Sequence, residues 1–191
     1  MKRLFMLLVP GLLLAFASSV CATTLMVDPL AQTKLLGQQA TVTIESSNSY
    51  IGDFDLNIMW DTTILALSAI TYGTHLGGGL PDSLQNSFVF GGGTVNASEI
   101  SLLSATDLIA LQPSQTATLL SLVFDTIALG TSPVIIGVIQ IGDENGELVI
   151  PDLHHGSITV IQRGTTDVPE PSSIVLLASG IGLLVWRLRR T

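Results

Sequence analysis

The sequence predicts an all-β domain, a β-sandwich, set between two targeting segments, and three observations predict it. Apolar residues in the middle of the chain recur in short runs, several alternating with period two, which puts them on one face of a strand. Gly, Pro, Asn, Asp and Ser interrupt these runs at short intervals, as turns between strands require. No segment of the middle holds an amphipathic helical pattern over three turns. Many short strands separated by turns close into a sandwich.

The first element of the 191-residue chain is a targeting segment. Met1–Ala22 opens with Lys2 and Arg3, continues with the apolar run Leu4–Ala17 and ends in Val20-Cys21-Ala22. This order is that of a secretory signal peptide over residues 1–22, with cleavage after Ala22. A lipoprotein with Cys21 as the acylated residue is the rival, weakened by Val20 where such sites want a smaller residue. An uncleaved anchor helix is disfavoured because Pro10-Gly11 interrupts a run already short for a bilayer. Cleavage at Ala22 removes the single cysteine, leaving no disulfide, thiolate or Cys-based metal site in the mature chain.

Residues 23–166 form one domain, long enough to bury a core of its own. Strands are expected at Thr24–Val27, Ala40–Ser46, Phe54–Trp60, Ile64–Tyr72, Ser87–Phe90, Glu99–Ala105, Thr118–Ile127, Val134–Ile141, Glu147–Ile150 and Ser157–Ile161. Val42 and Ile44 alternate inward, as do Phe54, Leu56 and Ile58, with Asp53, Asp55 and Asn57 outward. A short helical turn fits Ser104–Leu111. Gly77-Gly78-Gly79 and Gly91-Gly92-Gly93 lack the Lys and following helix of a phosphate loop and read as turns.

The order of these features resembles a cohesin domain. Thr24–Asp28 stands as the opening strand, and Gly37-Gln38-Gln39-Ala40 leads into Thr41–Ile44. Phe54-Asp55-Leu56-Asn57-Ile58-Met59-Trp60-Asp61 followed by Ile64-Leu65 is similar to the family's strand, Trp-Asp turn and Leu-led strand. Leu119–Phe124, Val134–Ile141, the turn Asp143-Glu144-Asn145-Gly146 and Gly156-Ser157-Ile158-Thr159-Val160 match its closing strands. The resemblance implies a nine-stranded jelly-roll β-sandwich used for binding, to a dockerin-like protein; a carbohydrate such as a polysaccharide is the other ligand class considered. A structural component of an exopolysaccharide or biofilm matrix, with no discrete ligand, is the other reading.

The last element is a sorting tail over residues 167–191. Ser172–Trp186 is continuously apolar or small, so residues 172–188 are expected to form a transmembrane segment. The run is short, with Ile174–Leu188 spanning about 22 Å as a helix against a hydrocarbon core of about 30 Å. Arg187, Arg189 and Arg190 follow as a stop-transfer cluster that stays cytoplasmic. Before it, Val168-Pro169-Glu170-Pro171 is kept extended by its two prolines. Pro-Glu-Pro, apolar run and Arg cluster in this order resemble the PEP-CTERM sorting signal of Gram-negative bacteria. That implies an exosortase as partner, transient residence in the inner membrane, and delivery to the cell surface or extracellular matrix.

Charge limits the remaining functions. In residues 23–166, Lys34 and Arg163 face thirteen Asp and Glu, a formal charge of −11. Phosphate backbones require clustered Lys and Arg, so nucleic acid is excluded as a partner. No catalytic residue and no metal site are assigned, and the chain is not expected to be an enzyme. Asp53 and Asp55 share a strand face about 7 Å apart, a spacing that paired-carboxylate chemistry could use, but a solvated face explains them. His154 beside Asp152 is read as a loop histidine, and adjacent His154 and His155 point to opposite faces. Asp143-Glu144-Asn145-Gly146-Glu147 resembles half a calcium loop, so calcium is the one ion considered. A type I′ turn centred on Asn145-Gly146 accounts for the same residues without it.

Overall fold

The computed structural model describes residues 22–163. Eleven strands and one short helix follow in order: β1 (Thr24–Asp28), β2 (Ala31–Leu35), β3 (Gln39–Ser47), β4 (Ile51–Trp60), β5 (Leu65–Tyr72), β6 (Ser83–Phe90), β7 (Thr94–Ser101), α1 (Ala105–Leu111), β8 (Thr116–Thr126), β9 (Gly130–Asp143), β10 (Asp152–His154) and β11 (Gly156–Ile161). They pack as two sheets, ordered β10-β1-β3-β8-β5 and β2-β11-β9-β4-β7-β6. Pairing is antiparallel except for β1 with β10 and β11 with β2. The expected all-β sandwich is what the chain forms. Setting aside three-residue β10, and taking β1 and β2 as one strand that changes sheets around Pro29, leaves the nine strands of the jelly roll.

Period-two alternation builds the core. Ala40, Val42 and Ile44 of β3 and Leu122 and Phe124 of β8 meet Phe54, Leu56, Ile58 and Trp60 of β4, and all are buried. Trp60 crosses the layer to Phe124 at 5.3 Å between ring centroids and gives its Nε1 hydrogen to Leu65 O at 3.2 Å. The indole N–H is thus satisfied inside the apolar layer, as burial demands.

The helix closes one end. Ser104 accepts from Asp107 N and donates to Asp107 Oδ2 at 2.6 Å, a cap that satisfies one of the free N–H groups of the first turn. Leu108 is buried by this closure. Gln112, fully buried just after the helix, accepts from Ile51 N at 2.8 Å and donates to Ile51 O at 2.7 Å. One side-chain amide thereby stands in for a strand at the start of β4.

Four local expectations are corrected. β7 begins at Thr94 rather than Glu99, because its inward residues Val95, Ala97 and Glu99 include a small one and an acid and do not read as an apolar run. Glu147–Ile150 is not a strand; a single bridge, Gly142 to Leu148, ties it to β9 before Pro151. β2 and β10 were not expected, since each pairs on one side only and neither needs an apolar face. The turn after β9 is not type I′: Gly146 has φ +80° while Asn145 stays out of the left-handed region, and Gly146 N reaches Asp143 O. The signal peptide, apart from Ala22, and the sorting tail lie outside the described residues. Among the described residues no helix is long and apolar enough to cross a membrane.

Candidate binding face

The outer face of the six-stranded sheet carries most of the chemistry that the interior does not use. Register across β6, β7, β4 and β9 lines its side chains up in four rows. The first is Leu84, Ile100, Asp53 and Gly142; the second is Asn86, Ser98, Asp55 and Gln140. The third is Phe88, Asn96, Asn57 and Gly137; the fourth is Phe90, Thr94, Met59 and Ile135.

Apolar groups in these rows are left in water. Phe88 is 60 % exposed and Phe90 48 %, and their rings meet edge to face at 4.8 Å. Leu84 and Ile100 are about as open, and Ile139 projects where β9 gains an extra residue against β4 between Asp55 and Leu56. Large apolar side chains grouped on one sheet face mark a contact surface rather than random exposure.

The polar half is ordered by amides. Gln140 Nε2 donates to Asp53 Oδ2 at 3.0 Å, and Asn96 Nδ2 donates to Asp55 Oδ1 at 2.5 Å and Asn57 Oδ1 at 3.2 Å. A Cβ on Gly142 would stand 2.0 Å from Asp53 Oδ1, so glycine is what lets the carboxylate lie over β9. Asp53 and Asp55 both line a shallow pocket of about 370 Å³ with Leu84, Asn86, Ser98, Ile100 and Gln140. Each carboxylate is engaged by a neutral amide, an arrangement suited to recognising donors on a ligand.

The other candidate residues fall elsewhere. His154 stands 3.5 Å from Asp152 on exposed β10, whereas His155 Nδ1 accepts from Ile136 N and His75 Nδ1 from Thr118 N, both serving the backbone. Asp143 Oδ1 accepts from Asn145 N at 2.8 Å and Glu147 N at 2.9 Å, so turn amides occupy the oxygen that half a calcium loop would offer. Among the described residues no group of three His, Cys, Asp or Glu could hold a metal. Asp61 keeps its Trp-Asp turn: the Thr63 hydroxyl and amide bind its carboxylate and hold it below the ordinary aspartate range. Val168, Pro169, Glu170, Pro171, Arg187, Arg189 and Arg190 lie outside the described residues.

Two residues were missed. Glu99 is 2 % exposed on the inward face of β7, where Ser83 Oγ donates at 2.6 Å and Gln85 Nε2 at 2.9 Å to its Oε1. The alternation Val95, Ala97, Glu99 was the available signal. Tyr72, across the sandwich, gives its hydroxyl hydrogen to Asn86 O; burial pushes its pKa up, and the charges of Glu99 and Asp55 push the same way.

Comparison with known proteins bears on the tail and on the fold of the domain. Residues 167–190 match the PEP-CTERM protein-sorting motif. No curated protein matches the sequence. The fold is similar to a non-cellulosomal cohesin from the hyperthermophilic archaeon Archaeoglobus fulgidus, with TM-score 0.58 and 15 % identity over 79 % of this chain and 99 % of that one. It is also similar to the sixth cohesin of Acetivibrio cellulolyticus scaffoldin B, solved in complex with a dockerin, with TM-score 0.62 and 16 % identity over 74 % of this chain and all of that one. A type II cohesin from Bacteroides cellulosolvens gives TM-score 0.58 and 16 % identity, over 74 % of this chain and all of that one.

Proposed function

From a chain that carries a PEP-CTERM sorting motif behind a domain of cohesin fold, we propose an exported surface protein that binds a partner protein through the outer face of its six-stranded sheet. The motif implies handling by an exosortase. The observation that carries the binding role is the four-row face, with Phe88 and Phe90 at one margin and the amide-bound Asp53 and Asp55 at its centre. An apolar anchor beside fixed polar groups is the composition of a protein-binding patch. The edge-to-face phenyl rings do not make a flat platform for sugar rings, which favours a dockerin-like protein over a polysaccharide. Binding rather than catalysis is the role this surface supports. A matrix component is the second reading, supported by β6, an eight-residue edge strand without a charged side chain that a neighbouring copy could extend.

Domain limits, cleavage and tail processing belong to the same proposal: a signal peptide over residues 1–22, a domain over 23–166, a membrane segment over 172–188, and a cut near Pro169-Glu170-Pro171. The test is capture by immobilised domain from the producing cell's exported proteins, with and without calcium. Phe88→Ser with Phe90→Ser should abolish capture of one defined partner, and Thr41→Ser on the opposite sheet should not. Equal capture by both variants overturns the choice of face. For the tail, replacing residues 169–171 by alanine should trap full-length chain in the membrane. Normal release of that variant refutes exosortase handling.

A further inference from the structure

The two poles of the sandwich differ in chemistry. The chain leaves the described domain at the end of β11, where Leu36 N donates to Ile161 O at 2.9 Å. At the same end Gly37 N reaches Thr126 O, and Ile127 N reaches Ile64 O. This exit pole therefore gathers Leu36, Ile127, Leu129 and Ile161, each 46–51 % exposed. Lys34, paired with Val160, and exposed Arg163 belong to it as well, and among the described residues no other Lys or Arg exists. Two carboxylates share the pole, both engaged: Asp61 by Thr63, and Asp125 by Gln39 Nε2 at 3.0 Å. The opposite pole holds Asp82, Asp107, Asp143, Glu144, Glu147 and Asp152 and no cation.

We infer that the exit pole rests on a lipid surface while the tail is inserted, its aliphatic side chains in the interface and Lys34 and Arg163 against anionic headgroups. The inference depends on the proposal that residues 172–188 enter the membrane. Eight residues, 164–171, then join Arg163 to that segment, a reach of at most about 32 Å. β4 alone, with ten residues, spans about 31 Å. The exit pole, where the tether starts, lies nearest the lipid, and the acidic pole stands a full strand length further along the domain. Electrostatics orient the domain in the same sense, since an anionic leaflet repels the six-carboxylate pole and not the exit pole, where two cations balance two carboxylates. Exposed aliphatic groups beside basic ones are the composition of an interfacial contact.

The test uses the mature chain, Thr23–Thr191, which contains no cysteine, inserted in vesicles of phosphatidylethanolamine and phosphatidylglycerol with brominated acyl chains. A fluorophore is placed in turn through Leu36→Cys, Leu129→Cys or, at the acidic pole, Ile150→Cys. Expected is loss of about half the emission at positions 36 and 129, with position 150 unchanged. Lys34→Glu with Arg163→Glu should restore emission in these vesicles but change little in phosphatidylcholine. Bright emission at 36 and 129 on chain that floats with vesicles overturns the lipid contact while sparing the anchor. Equal quenching at 150 shows a tumbling domain and overturns it too. Energy transfer between copies at position 129, without quenching, assigns the pole to a second copy instead. Chain that does not float refutes the anchor reading, and this inference with it. Quenching indifferent to charge reversal refutes the role of the cations.

Discussion

The two outer faces of the sandwich come from the same alternating pattern and end with different chemistry. On the five-stranded sheet, outward positions carry Thr41, Thr43 and Glu45 of β3 and Ser121 and Asp125 of β8, and no strand of that sheet leaves a large apolar residue exposed. On the six-stranded sheet, Leu84, Phe88, Phe90, Ile100 and Ile139 stand in water. Stability does not require this difference, because the core is already made by the inner faces of β3 and β8 against β4 and β9. One face is built for solvent, and the other has the composition of a contact surface.

The largest effect expected tests what the two sheets share. Leu56→Asp puts an unpaired charge between them and should cost about 4 kcal/mol or more, enough to unfold the domain by circular dichroism. Stability close to wild type would mean that β4 does not face inward at Leu56. Next in size is Ser83→Ala, which takes away a donor from buried Glu99 and should cost about 1–3 kcal/mol in urea unfolding. If that variant unfolds at the wild-type midpoint, water must already reach Glu99.

Phe88→Ser with Phe90→Ser sharpens the comparison between faces. Truncating exposed rings should change stability by about 0.5 kcal/mol or less, so a Tm near wild type together with lost partner capture separates binding from folding. A large drop in Tm would instead make the phenyl pair structural. The smallest effect concerns pH. Burial raises the Tyr72 pKa in the folded state, so its contribution is complete below the ordinary tyrosine value of about 10 and is lost as pH rises through the folded value. As pH rises above the ordinary tyrosine value of about 10, the Tm of the wild type should fall more steeply than that of Tyr72→Phe. Parallel curves would show that Tyr72 is fully hydrated.

Much of the fold was legible because alternation is a local property. Val42, Ile44, Phe54, Leu56 and Ile58 declare their faces within five residues of chain, whatever they later pair with. The Ser104 cap and the Trp60-Asp61 turn are local too, as is the order of prolines, apolar run and arginines that the sorting motif matches over residues 167–190. Cohesin likeness followed from that order of strands and turns.

What only the tertiary structure decided depends on partners far along the chain. Asp55 meets Asn96 across 41 positions and Asp53 meets Gln140 across 87, so the paired aspartates became an amide network through register. The inward turn of Glu99, and the pole that collects Lys34, Leu36, Leu129 and Arg163, arise in the same way. β2 and β10 exist because a neighbour offers free backbone groups, and no side-chain pattern announces a strand held from one side. Local composition told which residues could be buried or turned. Which exposed residues stand together was set by strand order, because a sheet joins positions by hydrogen-bond register and not by distance along the chain.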